Sequence, residues 1–197
     1  MSNEIKQNLI KYEAIKQKVF TAFADVTLGD GIGFWEANAI DDYLLPTSEE
    51  YLKEKEKDER FDFRKVFEFV EKFDDYPSNI HCFMDAKGLY FHLPVMLLLG
   101  DNHTKDSVLQ YWVLKENPEY VELMHLLTLE QKKCIIECIE YDFECAVKVY
   151  EDHKGYKCSK CNKIDNPVNY TYEQAKQLAQ SGDEYILLQK LKKHFDL

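Results

Sequence analysis

Residues 80 to 100, Ile-His-Cys-Phe-Met-Asp-Ala-Lys-Gly-Leu-Tyr-Phe-His-Leu-Pro-Val-Met-Leu-Leu-Leu-Gly, form the most apolar stretch of a chain that otherwise reads as charged, amphipathic helix. An amphipathic helix must bury its apolar stripe against something, and this segment is the surface on offer. Its character changes halfway. Up to His92 the residues read as extended, with a turn at Asp85-Ala86-Lys87-Gly88 in which Gly88 takes positive φ and Asp85 bonds the backbone ahead of it. From Pro94 onward a short apolar helix is expected. A lone hairpin is marginal in water, so helices must cover it. The expected fold is mainly α with one small β-hairpin, an α+β domain of helices packed around a central hairpin–helix segment.

The flanking helices announce themselves by period and by caps. In residues 3 to 24, Ile5, Leu9, Tyr12, Val19 and Phe23 recur at helical spacing. The loop Thr27-Leu-Gly-Asp-Gly-Ile-Gly-Phe-Trp-Glu36 follows, with three glycines in five residues. It lacks both a preceding strand and a following Lys-Ser/Thr, so it reads as a structural turn seating Phe34 and Trp35 and not as a phosphate cradle. Thr47-Ser-Glu-Glu50, Thr128-Leu-Glu-Gln131 and Thr171-Tyr-Glu-Gln174 are capping-box patterns that open helices. Asp62 can cap a helix carrying Phe63, Val66, Phe67 and Val70. Further helices are expected over 104 to 115, from Asn117-Pro118 to about Leu126, and over 171 to 194 with a break near Gly182. The long helix opened by Thr128 carries Ile135, Ile139, Phe143, Ala146 and Tyr150 on one face. Two regions result, a helical domain over 1–152 and a Cys-x-x-Cys loop with a C-terminal helix over 153–197, packed on it as one compact unit.

At 197 residues the chain is long enough to bury a core without disulfides. Net charge is −11 and pI near 5.0. A duplex-binding groove needs a basic face, so direct nucleic-acid binding is disfavoured. The N-terminus shows no basic stretch followed by an apolar run. The longest apolar run, Leu93 to Leu99, is far short of the ~20 residues that span a bilayer. The chain therefore reads as cytoplasmic, with no membrane partner, and its six cysteines as thiols or metal ligands.

Three stretches in order are familiar: Gly29-Asp-Gly-Ile-Gly-Phe-Trp-Glu with Ile40-Asp-Asp-Tyr43, Cys82-Phe-Met-Asp-Ala-Lys-Gly-Leu-Tyr-Phe-His-Leu-Pro94, and Leu127-Thr-Leu-Glu-Gln131. Together they resemble an uncharacterised bacterial family, known as a domain of unknown function. Its members carry a Phe-Leu-Asp-x-x-Gly-x-x-Phe-x-Leu-Pro core and a Leu-Thr-x-Glu-Gln helix start. The resemblance covers roughly residues 8 to 145 and implies no catalytic residue.

The sharpest chemical signal is Cys158-Ser-Lys-Cys161 followed by Asn162, which resembles a zinc knuckle. A structural zinc takes four ligands and no second Cys-x-x-Cys exists, so two must come from elsewhere. His153 and Cys145 are nearest in sequence, and Cys134 with Cys138 form a rival pair one helical turn apart. Histidines 81, 92 and 103 flank the apolar centre without any metal-binding spacing, and read as satisfied or exposed. No nucleophile elbow or cysteine-protease pattern appears, so whether the chain is an enzyme stays undecided, leaning against.

From Asp41 to Tyr76 there are 13 acidic and 7 basic residues, which places more than half of the net charge in 36 positions. Charge runs usually keep helices wet, but this one also suits docking to a basic protein. The leading expectation is a non-enzymatic, protein-binding protein, an immunity or antitoxin-type inhibitor of a basic toxin, with Glu49, Glu50, Glu54 and Asp58 meeting Lys or Arg of the partner. The alternatives are a small zinc-stabilised domain with a docking or regulatory role, and an enzyme with an unfamiliar site.

Overall fold

The computed structural model of the chain describes residues 3–73, 80–99, 109, 118–151, 156–157, 164–165 and 170–197. They fall into two compact units, 1–135 and 136–197. The division lies inside a long helix, upstream of the 152/153 boundary read from the sequence.

In the first unit, α1 spans Asn3–Ala22, α2 Phe34–Asp41, α3 Glu49–Lys55 and α4 Phe63–Phe73. A 3-10 turn at Ile80–Phe83 leads into α5, Ala86–Leu98, and α6 covers Pro118–Leu126. α7, Leu129–Glu151, begins here and runs into the second unit.

α5 is the centre, and it corrects the expected hairpin. Residues 86 to 92 are helical, not extended, so the fold is a helical one and not α+β. Asp85 takes an extended conformation as N-cap, and its side chain accepts the Gly88 amide at 2.8 Å. An Asp three residues before a Gly serves a turn or a helix start equally well. The contest is decided by burial, because eleven of the thirteen α5 residues are buried. A strand would show the core only alternate residues; a helix apolar on all sides can be enclosed by neighbours. Gly88 does not take positive φ. It is needed because the Ile32 carbonyl lies against it, where any Cβ would overlap that oxygen. Pro94 sits within the helix and does not begin it; it forgoes the bond to the Tyr90 carbonyl.

Neighbouring helices cover α5. Val19 of α1, Phe23 just after it, and Phe63, Phe67 and Val70 of α4 are buried, and Phe20 meets Phe63 and Phe67 edge to face with centroids 5.8 Å apart. The Tyr12 hydroxyl donates to the Leu98 carbonyl at 3.1 Å. Thr128 and Gln131 make the expected capping box of α7. Buried Gln131 does more, since its amide donates to the Ala22 carbonyl at 3.1 Å and to the Tyr90 hydroxyl at 2.9 Å. One side chain thus ties the end of α1, the middle of α5 and the start of α7.

In the second unit, α8 (Tyr172–Ala179) and α9 (Asp183–Phe195) follow the later part of α7. Val147, Ala175 and Ala179 are buried together with Phe143 and Tyr170 against them. Thr171 and Gln174 complete the predicted capping box. Leu187, Leu188, Leu191 and Phe195 form the buried side of α9, and the Lys192 ammonium meets Glu140 at 2.6 Å. Among the described residues, β-pairing is confined to a two-residue antiparallel contact, Tyr156–Lys157 against Ile164–Asp165, far from the expected hairpin. The expected helix over 104–115 lies outside the described residues except for buried Leu109.

Candidate functional site

The glycine loop between α1 and α2 is held by charged side chains from the segment after α3. Gly29 is left-handed (φ +58°), a conformation that costs glycine nothing. The Arg60 guanidinium donates to the Gly29 carbonyl at 2.7 Å and reaches that of Gly31 at 3.3 Å. Asp58 turns inward beneath the start of α2, accepting the Trp35 amide at 2.7 Å and the Glu36 amide at 3.2 Å. Asp85 takes the Ile32 amide at 3.0 Å. Three amides of the loop, those of Ile32, Trp35 and Glu36, are therefore taken by the protein's own carboxylates, and those of Leu28 and Gly31 by backbone carbonyls. Burial pushes the Asp58 carboxyl above its ordinary pKa, against the opposing pull of the Trp35 and Glu36 amides and of Arg60.

Glu36 is a buried carboxylate at the α2–α3 junction. The Tyr51 hydroxyl donates to it at 2.7 Å and the Lys55 ammonium at 2.6 Å, with Arg60 3.6 Å away. A buried charge persists only when partnered in this way. Burial, reinforced by the hydrogen bond to Glu36, pushes the Tyr51 hydroxyl up to about 12.

This frame fixes the outer surface of α3. Of the four acidic residues expected to meet a partner, Glu49 and Glu50 are exposed in the first turn of α3, and Glu49 is paired with Lys53 at 2.7 Å. Glu54 is half-buried and paired with Lys57 at 2.6 Å. Asp58 is spent on α2. The sequence reading missed exposed apolar residues close to them along the chain. Tyr43 is 93% exposed, Phe61 79%, Leu45 70% and Leu52 48%. A shallow hollow of about 450 Å³ lies on the same segment, lined by Gly29, Asp30, Leu52, Lys55, Glu56 and Arg60.

Tyr43 is the unusual member. It has φ +58°, left-handed, at the C-terminus of α2. Its amide bonds the Ile40 carbonyl at 3.0 Å and the Leu44 amide bonds that of Ala39 at 3.0 Å, the double bond pattern of a Schellman cap. Glycine is the usual occupant because a Cβ is strained there. Tyr43 bears that strain while burying almost nothing. The signal available in the sequence was the absence of Gly or Asn after Asp42 where α2 must end.

A second concavity, about 250 Å³, lies between α2 and α4, lined by Phe34, Trp35, Val66, Phe69, Val70 and His92 with Lys57, Asp58, Glu59 and Lys65. His92 is buried, and desolvation lowers its pKa to about 3, so the imidazole is neutral at pH 7. His81 is also buried, and His103 lies outside the described residues.

Among the zinc candidates, Cys145 is half-buried on α7 and in no disulfide, and the rival pair Cys134 and Cys138 is buried on α7. Cys158, Cys161 and His153 lie outside the described residues. Among the described residues no three His, Cys, Asp or Glu side chains come together as metal ligands, and no helix is long and apolar enough to cross a membrane.

A family of unknown function, DUF6714, matches residues 11–158, starting and ending later than the 8–145 read from the motifs. No curated protein and no solved structure matches the chain.

Proposed function

The chain belongs to the DUF6714 family, and on that premise we propose that it is a non-enzymatic protein-binding protein of a bacterial cytosol, an immunity or antitoxin-type inhibitor that neutralises a basic partner through its α2–α3 corner. The observation that carries this reading is Tyr43, strained in the left-handed region and 93% exposed. Strain of this kind gathers at functional positions, and folding stability gives no account of a bulky side chain there. Exposed Leu45, Leu52 and Phe61 supply apolar anchors nearby in sequence, and aromatic side chains dominate the energetics of protein interfaces. Glu49 and Glu50 supply the acidic rim, and a net charge of −11 favours encounter with a basic protein, most strongly at low ionic strength. Asp58 acts from within, holding the start of α2 through the Trp35 and Glu36 amides.

Co-expression with a basic protein encoded beside this gene tests the reading. The two proteins should elute together on size exclusion and the complex should survive moderate salt, because apolar anchors are screened little. A basic neighbour that elutes separately at low salt contradicts it.

A further inference from the structure

Trp35 and Phe69 stand edge to face, centroids 6.2 Å apart, in the wall of the smaller cavity. Its lining runs from buried His92 to Lys57 and Lys65, whose side chains are 48% and 64% exposed. We propose that this cavity, whose lining does not include Tyr43, binds a small carboxylate bearing one aromatic ring, with the ring packed against the Trp35–Phe69 pair and the carboxylate on the two lysines.

Volume sets the size of the ligand. At about 250 Å³ the space is below the ~300–1,000 Å³ of drug-sized sites, which limits the occupant to one ring and a short arm. The walls set the polarity of the apolar end, where Phe34, Trp35, Phe69, Val66 and Val70 suit a hydrocarbon ring better than a charge.

Charge at the mouth chooses between an acid and an amine. Aromatic walls alone would favour a cation, but Lys57 already lies 5.1 Å from the Trp35 ring centroid and would repel a second one. The two carboxylates in the lining are committed. Asp58 accepts the Trp35 and Glu36 amides, and Glu59 accepts the Phe61 and Asp62 amides while its other oxygen meets Lys65 at 3.1 Å. The lysines are less tightly held. Among the described residues each pairs with one carboxylate at a partly exposed site, Lys57 with both oxygens of Glu54 and Lys65 with Glu59. Exposed pairs of that kind are worth only ~0–1 kcal/mol, so exchange for a ligand carboxylate is easy. The protein's overall negative field is screened beyond ~8 Å at physiological salt, which leaves the local lysines in charge.

The test titrates ¹⁵N-labelled full-length protein with 3-phenylpropionate and, separately, with 2-phenylethylamine. The readout is the Trp35 indole N–H cross-peak, assigned with Trp112→Phe. The expected result is a saturable shift with the acid, at a concentration about threefold or more below that needed for the amine, the worth of one half-exposed ion pair. Replacing Lys57→Gln and Lys65→Gln together, which keeps the apolar stems, should abolish that preference. An amine that binds as well as the acid, a Trp35 signal that moves with neither, or a preference that survives loss of both lysines overturns the proposal.

Discussion

The Ile32 amide and the Asp85 carboxylate, 53 residues apart, are joined by a 3.0 Å hydrogen bond to the same oxygen, Oδ1, that accepts the Gly88 amide at 2.8 Å. A helix cap and a long-range tether are thus one atom. Asp85→Ala should orphan two amides at once and cost about 2–3 kcal/mol, a lost cap plus an unsatisfied buried donor. Asp85→Asn keeps an acceptor oxygen and should cost less than about 1 kcal/mol. Denaturant midpoints at unchanged m-value measure both. Gly88→Ala should cost more than Asp85→Ala, because its Cβ would meet the Ile32 backbone, which cannot swing aside as a side chain would.

The Tyr51–Glu36 bond makes an alkaline prediction. With the hydroxyl raised to about 12 in the fold against 10.0 in a free chain, the unfolded state loses this proton first. Stability contributed by Tyr51 is therefore complete below pH 10 and is lost as pH climbs from there toward 12. Tyr51→Phe should be less stable at pH 7 by about 1–2 kcal/mol, since Glu36 loses a donor. The gap to the native protein should narrow above pH 10, as read from urea melts across that range. A gap that stays constant would show that Tyr51 titrates normally.

His92 gives the opposite limb. Desolvation holds its pKa near 3 against 6.5 in a free chain, so below pH 6.5 the unfolded state takes up a proton that the fold refuses. Stability should fall between pH 6.5 and 3 with a slope approaching about 1.4 kcal/mol per pH unit from this group alone. His92→Phe should lack that component. Ring ¹⁵N shifts should report a neutral imidazole in the folded protein at pH 5; an imidazolium there would contradict the assignment.

How far these features can be read from residues alone differs by kind. Helix starts were legible because a cap is local: Thr128 and Thr171 each bond an amide three residues ahead, as read, while the 47–50 pattern was one residue out, since Ser48 and not Thr47 caps α3. The centre was misread because Asp85-x-x-Gly88 serves a turn or a cap equally well, and a short apolar run with aromatic residues does not separate strand from buried helix. What decides it, the burial of α5 on all sides, is set by helices distant in sequence, as is the need for glycine at 88, where the Ile32 carbonyl approaches. Asp58 looked like one more surface charge in a Lys-Glu run for the same reason, since its two amide partners belong to α2. The turn at the glycine loop was legible from its glycines, yet the carboxylates that accept its amides were not foreseeable. The apolar half of the α2–α3 corner was legible only through a missing glycine, which is a weak signal until Tyr43 is seen in the left-handed region.

That position yields the plainest stability prediction. Tyr43→Gly should stabilise the fold by about 1 kcal/mol, relieving a left-handed side chain that buries almost nothing. Thermal and urea melts should both shift upward. Loss of stability would mean that the tyrosine supports the corner, and would remove the chief reason for reading it as an interface residue.

The most direct measurement is calorimetric titration of this protein with the basic protein encoded beside it, native chain against Tyr43→Gly. The account predicts saturable binding by the native chain and binding weakened about tenfold or more by the variant, although the variant is the more stable protein. A neighbour that gives no binding heat and no complex by size exclusion, or a Tyr43→Gly protein that binds as tightly as the native one, would contradict it.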